Sequence, residues 1–429
     1  MKVKWLFQKE IEIPDDWEWE QLLDNSTLKG RIGWQGLTSS EYRDKGKFVL
    51  VTGTDFDNGR INWDTCVYVD EERYAQDPHI QLKKHDILIT KDGTIGKIAY
   101  VDNVPLPSTL NTGVFVVRPI NKRYFPLFLY YILQSDYFIK FITRIRAGST
   151  INHLYQKDFV YFHFPIPKIE EQEKIASVLS NIDELILKQQ QVIEKTQKLM
   201  KGQMQKLFSQ GIDHKKFKDI EVKPRFIKYS IPEKWEISDL KTVSNKIADM
   251  DHKMPNKTNY GVKFIAANNL ENEEIDFDNA ELISEEDYLK QSKKFNAEKN
   301  DILISRIGSI GVARKIRTDE KFIASYSVAL IKPKISIDSE FLHYYLNSTL
   351  PQKVMKAYTI VSGNVNLVLG ALEKVPVLLP EIDEQEKIGK ILRNLDLLIQ
   401  QEKNYKVKLE KIKKGLVMQL LTGEIRCKV

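Results

Sequence analysis

The sequence predicts an α+β protein built twice over: two mixed α/β domains separated by two long helices that form an intramolecular antiparallel coiled coil, in a pseudo-two-fold tandem repeat. Three observations predict it. Five landmarks recur in one order at an offset that drifts only from 218 to 213 residues, which marks a tandem duplication. From Glu170 to Ser209 and from Asp383 to Leu421 there is no proline. Within both stretches the apolar residues alternate at spacings of three and four, the heptad of a coiled coil.

In chain order, Ile13-Pro14-Asp15-Asp16-Trp17-Glu18 opens the first copy and returns as Ile231-Pro232-Glu233-Lys234-Trp235-Glu236. Runs such as Lys47 to Thr52 and Gly113 to Arg118 are β-branched, bounded by turn residues, and read as strands. Asp86-Ile87-Leu88-Ile89-Thr90 leads into Gly93-Thr94-Ile95-Gly96, and Asp301-Ile302-Leu303-Ile304-Ser305 leads into Gly308-Ser309-Ile310-Gly311. The repetition of Asp86 and Asp301 with their matched strands points to a turn or cap role rather than acid–base chemistry. Phe125 to Thr143 and Ser339 to Tyr358 each read as one helix. Their pairs Tyr130-Tyr131 and Tyr344-Tyr345 sit among aliphatics at helical spacing and belong to the core.

The first long helix places Ile175, Leu179, Ile182, Ile186, Gln189, Ile193, Thr196, Met200, Gln203 and Leu207 on its seam. The second places Ile388, Ile391, Leu395, Leu398, Glu402, Tyr405, Leu409, Ile412 and Leu416 there. Polar seam positions lower stability and fix register. A chain ordered globule–helix–globule–helix pairs its helices most simply antiparallel, with the globules at opposite ends of a strut of roughly 58 Å for ~39 residues. The expected boundaries are 1–168 for the first domain, 169–211 for the first helix, 212–382 for the second domain and 383–429 for the second helix. The basic run Lys403 to Lys414 reads as a solvated helix face.

Composition narrows the class. A length of 429 residues, with 42% hydrophobic and 29% charged positions, suits two to four folded domains and excludes general disorder. No apolar run reaches the ~18 residues of a membrane span. The two cysteines, Cys66 and Cys427, cannot build a disulfide framework or a Cys-rich zinc site, and a reducing cytoplasm fits. The net charge of +6 is carried mostly by the last helix, and the two domains are nearly neutral. DNA binding would therefore need cations gathered on one face.

Two similar but non-identical heads on a fixed spacer form a measuring device. Paired binding units read two half-sites of a duplex at a separation set by the protein. Such a device could equally bridge two proteins, and geometry alone does not choose.

The segment Pro165-Ile166-Pro167-Lys168-Ile169-Glu170-Glu171-Gln172-Glu173-Lys174-Ile175, repeated as Val377-Leu378-Leu379-Pro380-Glu381-Ile382-Asp383-Glu384-Gln385-Glu386-Lys387-Ile388, resembles the helix-leading motif of the specificity subunits of type I restriction–modification enzymes. Ile-Pro-x-x-Trp, the Asp-Ile-Leu-Ile strand before a glycine turn, and the two-copy layout fit the same family over essentially the whole chain. The resemblance implies two target-recognition domains, each reading one half of a bipartite asymmetric double-stranded DNA target. The helices between them would serve as ruler and as docking site for two modification subunits. It implies no cofactor in this chain. S-adenosylmethionine for adenine-N6 methylation, and ATP and Mg for the restriction subunits that translocate and cleave DNA, would belong to the partners. A cytoplasmic location and no membrane association are expected from the cysteine usage and the lack of an apolar span.

Missing motifs agree with a non-catalytic role. There is no Gly-x-x-x-x-Gly-Lys-Ser/Thr phosphate loop and no Asn/Asp-Pro-Pro-Tyr/Phe tetrapeptide of the amino-methyltransferases. The seven histidines form no zinc-binding pair. The rival readings are a self-contained methyltransferase or nuclease with a degenerate site, and a coiled-coil scaffold bridging two proteins.

Candidate DNA contacts fall in three matched regions. The glycine turns offer Lys91, Gly93, Thr94 and Lys97 in one copy and Arg306 and Ser309 in the other, where backbone N–H groups, cations and hydroxyls suit phosphate; a tight turn kept for folding competes. Arg144 and Arg146 precede Ser149, Thr150 and Asn152, matched by Ser362, Asn364 and Asn366, and asparagine can bond adenine bidentately; an ordinary capped loop competes. Arg31, Trp34 and Gln35, opposite Lys253 and Lys257, lie where the copies diverge and base readout is expected; an exposed loop with one packed tryptophan competes.

Overall fold

The computed structural model of the chain describes residues 2–6, 9–33, 36–147, 153–224, 226–250, 255–293, 295–362 and 364–427. Contacts divide it into two compact units, residues 1–188 with 406–429 and residues 189–405. Half of each long helix belongs to each unit.

In the first unit a four-stranded antiparallel sheet runs in the order Ile98–Tyr100, Ile87–Thr90, Val114–Pro119, Ser26–Gly30. Its strands are apolar at nearly every position because both faces are covered, and successive side chains point to opposite faces. Ile87, Ile89, Phe115, Val117, Ile98 and Tyr100 face the helices Pro126–Gln134 and Asp136–Ala147 and the start of the first long helix. Leu88, Ala99, Val114 and Val116 face a second sheet, in which Ser108–Leu110 pairs parallel with Phe48–Val51.

The second unit repeats the plan. Its central sheet runs Ser244–Asp249, Val328–Pro333, Ile302–Ser305, Ala313–Lys315. Ile302, Ile304, Ala329 and Ile331 face the helical side. Leu303, Val328 and Leu330 face a second sheet containing the parallel pair Val262–Ile265 and Phe322–Ala324. Tyr130, Tyr131, Tyr344 and Tyr345 are buried in these helical layers as expected.

Two expectations need correction. The single helix expected over Phe125 to Thr143 is two, because Ser135 turns extended and its hydroxyl donates to the Ile132 carbonyl at 2.6 Å. Ser339 to Tyr358 likewise splits into Ser339–Leu346 and Thr349–Tyr358. At Ser135 a local side-chain hydrogen bond outcompetes helix continuation; at Ser348 the backbone turns extended without one.

The long helices are Ile169–Gln210 and Ile382–Thr422. The first uses the expected seam, with Ile175, Leu179, Ile182, Gln189, Ile193, Thr196 and Leu207 buried. The second keeps Ile388 and Leu409, but its alternate positions are shifted by one residue. Leu392 and Ile399 are buried, whereas Ile391, Leu398, Tyr405 and Ile412 are exposed. Lys406 and Lys413 also lie half-buried on the seam side, so the run Lys403 to Lys414 is only in part a solvated face. Apolar residues stand side by side at 391/392 and 398/399, so spacing alone cannot choose between them. The copy offset of 213 decides it, since Leu179 and Ile186 correspond to Leu392 and Ile399.

Within each unit the helix segments run antiparallel. In the first, Glu171 pairs with Arg426 and Asp183 with Lys413 at 2.7 Å. In the second, Gln189 bonds Glu402, and Leu207 and Phe208 pack in one core with Ile388 and Leu392.

A matched latch closes each pairing. Glu171 accepts from the Trp17 indole at 3.3 Å and from Arg426, which also holds Asp16. Glu384 accepts from the Trp235 indole at 3.1 Å, from the Ile212 amide at 2.8 Å and from His214 at 3.0 Å. Gly211 (φ +63°) and Gly423 (φ +74°) end the two helices, in the left-handed conformation that favours glycine. A Cβ at Gly211 would lie 2.5 Å from Glu384.

An apolar stripe stays exposed on each helix. Val178, Leu185, Val192 and Leu199 are exposed at seven-residue intervals, and so are Ile391, Leu398, Tyr405 and Ile412 at the equivalent positions of the second copy. Leu187, Leu397, Val407 and Met418 are exposed too, but each has a polar equivalent: Gln400, Glu184, Glu194 and Gln205. Beside the stripes run Lys174, Asn181, Lys188, Lys195 and Gly202, and Lys387, Asn394, Gln401, Lys408 and Gly415. Among the described residues Lys174, Lys195, Lys387 and Lys408 have no ion-pair partner. Nothing lies within 4 Å of a Cβ built on Gly202 or Gly415. Among the described residues no helix is long and apolar enough to cross a membrane.

Candidate nucleic-acid interface

Each domain gathers its candidate loops on one edge, by the same hydrogen bonds. In the first, the Lys91 amide donates to the Gly113 carbonyl at 2.8 Å, and the Leu154 amide to the Lys91 carbonyl at 3.0 Å. A Cβ on Gly36 would lie 3.1 Å from Thr112, which places the end of the 31–36 segment beside the same edge. In the second, the Arg306 amide donates to Ser327 and the Leu367 amide to Arg306, both at 2.8 Å. Ile307 bridges Asn366.

The turns have one construction. Thr90 donates its hydroxyl to the Thr94 carbonyl and accepts from the Lys97 amide at 2.9 Å. Ser305 does the same for Ser309 and Val312. Gly93, Gly96, Gly308 and Gly311 all have φ between +65° and +83°, a conformation most side chains avoid. Gly93, Thr94 and Lys97 are exposed at the tip of the first turn, and Arg144 and Arg146 are exposed in the last turn of Asp136–Ala147.

Two candidates are structural. Arg31 has no exposed surface: its guanidinium donates to the Leu110 and Arg73 carbonyls, to Gln76 and to Thr109. Arg306 is 6% exposed and is held by Asp249 and the Leu367 carbonyl. Burial lowers the pKa of both, and neither can reach a phosphate without leaving its bonds. Basic character at a diverging or turn position signals a contact only when the side chain is outside. Sequence cannot tell an arginine that ties loops together from one that meets a ligand.

The other candidates vary. Lys91 is half-buried, with its ammonium 4.9 Å over the Phe115 ring. Lys257 pairs with Glu281 at 2.5 Å. Asn366 is half-buried, and its side-chain oxygen has no partner among the described residues. Ser362 and Asn364 belong to the hairpin Ile360–Ser362/Asn364–Asn366. Trp34, Gln35, Ser149, Thr150, Asn152 and Lys253 lie outside the described residues.

Asp86 and Asp301 make turns. Asp86 accepts from the Lys83 amide at 2.7 Å and pairs with Arg118; Asp301 accepts from the Glu298 amide at 2.8 Å and pairs with Lys332. Among the described residues no cluster of three His, Cys, Asp or Glu is placed to hold a metal.

One feature had no signal in the sequence. Glu271 accepts from the Ser309 hydroxyl at 2.9 Å, so a carboxylate stands on the group expected to meet phosphate. A phosphate ~7 Å away would be repelled by about 0.6 kcal/mol in water. Glu271→Gln should therefore tighten duplex binding about threefold, read by fluorescence anisotropy at fixed salt. Equal or weaker binding would remove this turn from the interface.

Comparison with known proteins adds the family. The model of the type I restriction modification DNA specificity domain matches this chain twice, over residues 14–195 and 232–411. The chain is 30% identical to the type I restriction enzyme MjaX specificity subunit (so named provisionally) of Methanocaldococcus jannaschii, covering 97% of this chain and 95% of that one. It is 29% identical to the MjaVIII specificity subunit of the same organism, with the same coverage. The crystal structure of the S subunit of a type I restriction–modification system from M. genitalium shares the fold at TM-score 0.59 and 20% identity, covering 98% of this chain and 99% of that one. With both copies matched and both units built on one sheet-and-helix plan, the chain belongs to the family of type I restriction–modification DNA specificity subunits.

Proposed function

We propose that this chain supplies the DNA sequence specificity of a type I restriction–modification enzyme and performs no catalysis itself. Each recognition domain reads one half of a bipartite, asymmetric duplex target through the edge that carries its glycine turn. The observation that carries this reading is the duplicated edge: the same backbone bonds bring matched loops together in two domains of different sequence. A shared frame with unlike side chains is what two unlike half-sites require. The paired helices set the spacing, and partner subunits use S-adenosylmethionine, ATP and Mg to methylate adenine or cleave unmodified DNA.

The two apolar stripes support a docking role for the long helices. Each would receive a helix of one modification subunit, giving two subunits per chain because the stripe occurs twice. The unpaired lysines beside each stripe favour an acidic edge on that helix. Gly202 and Gly415 reinforce this, since a glycine inside a helix costs about 1 kcal/mol relative to alanine and no internal neighbour requires either. Open backbone there admits close approach of a second helix.

Mapping methylated adenines genome-wide, with and without this protein, tests the reading. The expected result is a split motif methylated only when the chain is present. Methyl transfer by the purified chain alone, given S-adenosylmethionine and DNA, would refute it.

A further inference from the structure

Both recognition domains are tied to their long helices at matched points, and the second domain has one further attachment. The shared attachments are the latch, Trp17 to Glu171 and Trp235 to Glu384, and a tyrosine hydroxyl further along the helix, Tyr131 to Asp183 at 2.8 Å and Tyr344 to Asp396 at 3.1 Å. The additional one is an acidic segment, Glu271 to Glu274. Glu274 accepts from Arg393 at 2.8 Å and from Gln400 at 3.3 Å, and it pairs with Arg317 at 3.2 Å. Glu273 pairs with Lys403. On the domain side the segment is anchored by Ile275, buried in the core of the second sheet. Arg317 is clamped by both oxygens of Glu340.

In the first copy, Ser180, Leu187 and Gln190 stand where the second has Arg393, Gln400 and Lys403. Among the described residues no ion pair joins the first recognition domain to the first long helix.

Partly buried ion pairs add little net stability, because desolvation offsets attraction, but they are directional. The apolar contacts of Phe341, Leu342 and Tyr345 with Ile388 and Leu392 in the same core are not. From Glu384 to Lys403 the helix rises roughly 28 Å. An attachment as far out as Lys403, added to those at Glu384 and Asp396, resists tilting of the domain on its helix. A tilt of ~7° over that lever moves the far end by ~3.4 Å, the rise of one base pair. We propose that Glu273 and Glu274 are positioning residues that brace the second recognition domain on its helix and so restrict the gap between half-sites to one length. This rests on the DNA-reading role proposed above.

The test is the Glu273→Gln/Glu274→Gln double variant of the full chain, expressed with its modification subunits and read by methylated-adenine mapping. The expected result is both half-sites unchanged, with gaps one base pair longer or shorter rising from at least ~tenfold disfavoured to within ~threefold of the native gap. Glu273→Lys combined with Lys403→Glu, which restores a pair with reversed charges, should return the single gap. Amide hydrogen exchange of the double variant should quicken across 262–283 and stay unchanged in the first unit. A folded double variant that keeps one gap and native exchange overturns the brace. If the unaltered protein yields no split motif, the DNA reading fails instead, and exchange alone then decides the brace.

Discussion

Leu185→Glu combined with Leu398→Glu is expected to abolish recovery of the modification subunits with this chain while leaving its fold intact. Both leucines are exposed, at 48% and 40%, so the free chain loses little; surface substitutions generally stay within ~0.5 kcal/mol, and glutamate is a good helix former. In a docked complex each leucine would bury and contribute about 1.5–3 kcal/mol. A carboxylate placed there would be stripped of water without a partner, a further cost. The sum corresponds to affinity lost by at least ~100-fold per stripe. Co-purification and the mass of the complex in solution read the result. Either single variant should leave a complex with one modification subunit in place of two. Leu187→Glu, off the repeat, is the control and should change neither. Full assembly by the double variant would show that the partners bind elsewhere.

Glu171→Ala should be the most destabilising single change in the first unit outside its apolar core. Glu171 is 4% exposed and accepts from the Trp17 indole, two Arg426 nitrogens and the Cys427 amide. Removing it takes away the acceptor of the Trp17 indole and the Cys427 amide and leaves the Arg426 cation with Asp16 and the Trp17 ring. Because Arg426 is 39% exposed, the cost falls below that of a fully buried pair, to about 1–3 kcal/mol, against a total of about 5–15 kcal/mol for a domain. Chemical denaturation should show the first unit unfolding earlier, with the second unchanged. Glu384→Ala should do the reverse, somewhat less severely, because His214 is charged only when protonated and arginine always is. A loss below ~1 kcal/mol in both would mean that these carboxylates do not close the helix pairing.

Much of the architecture was legible because duplication is visible in a single chain. The landmarks, the strands buried on both faces, and the first seam follow from residue type and spacing. The second seam was misread because Ile391 stands beside Leu392 and Leu398 beside Ile399, and a heptad tolerates either spacing. The copy offset held the answer, since what is buried in one copy tends to be buried in the other. The site was less legible. The glycine turns and the loops after the helices were legible as matched pairs, but their meeting on one edge came only from the structure, Arg31 and Arg306 point inward, and Glu271 carried no signal at all.

Sequence alone determined that this chain is two copies of one unit, where the strands and long helices lie, and which loops recur in both copies. Periodicity, proline and glycine act on near neighbours, and a repeat compares a chain with itself. Tertiary structure decided which of two adjacent residues faces the partner helix, which arginines tie loops together, and which carboxylates contact a long helix. Those outcomes depend on side chains far apart in sequence meeting away from water, where a charge must find a partner and an apolar surface a cover.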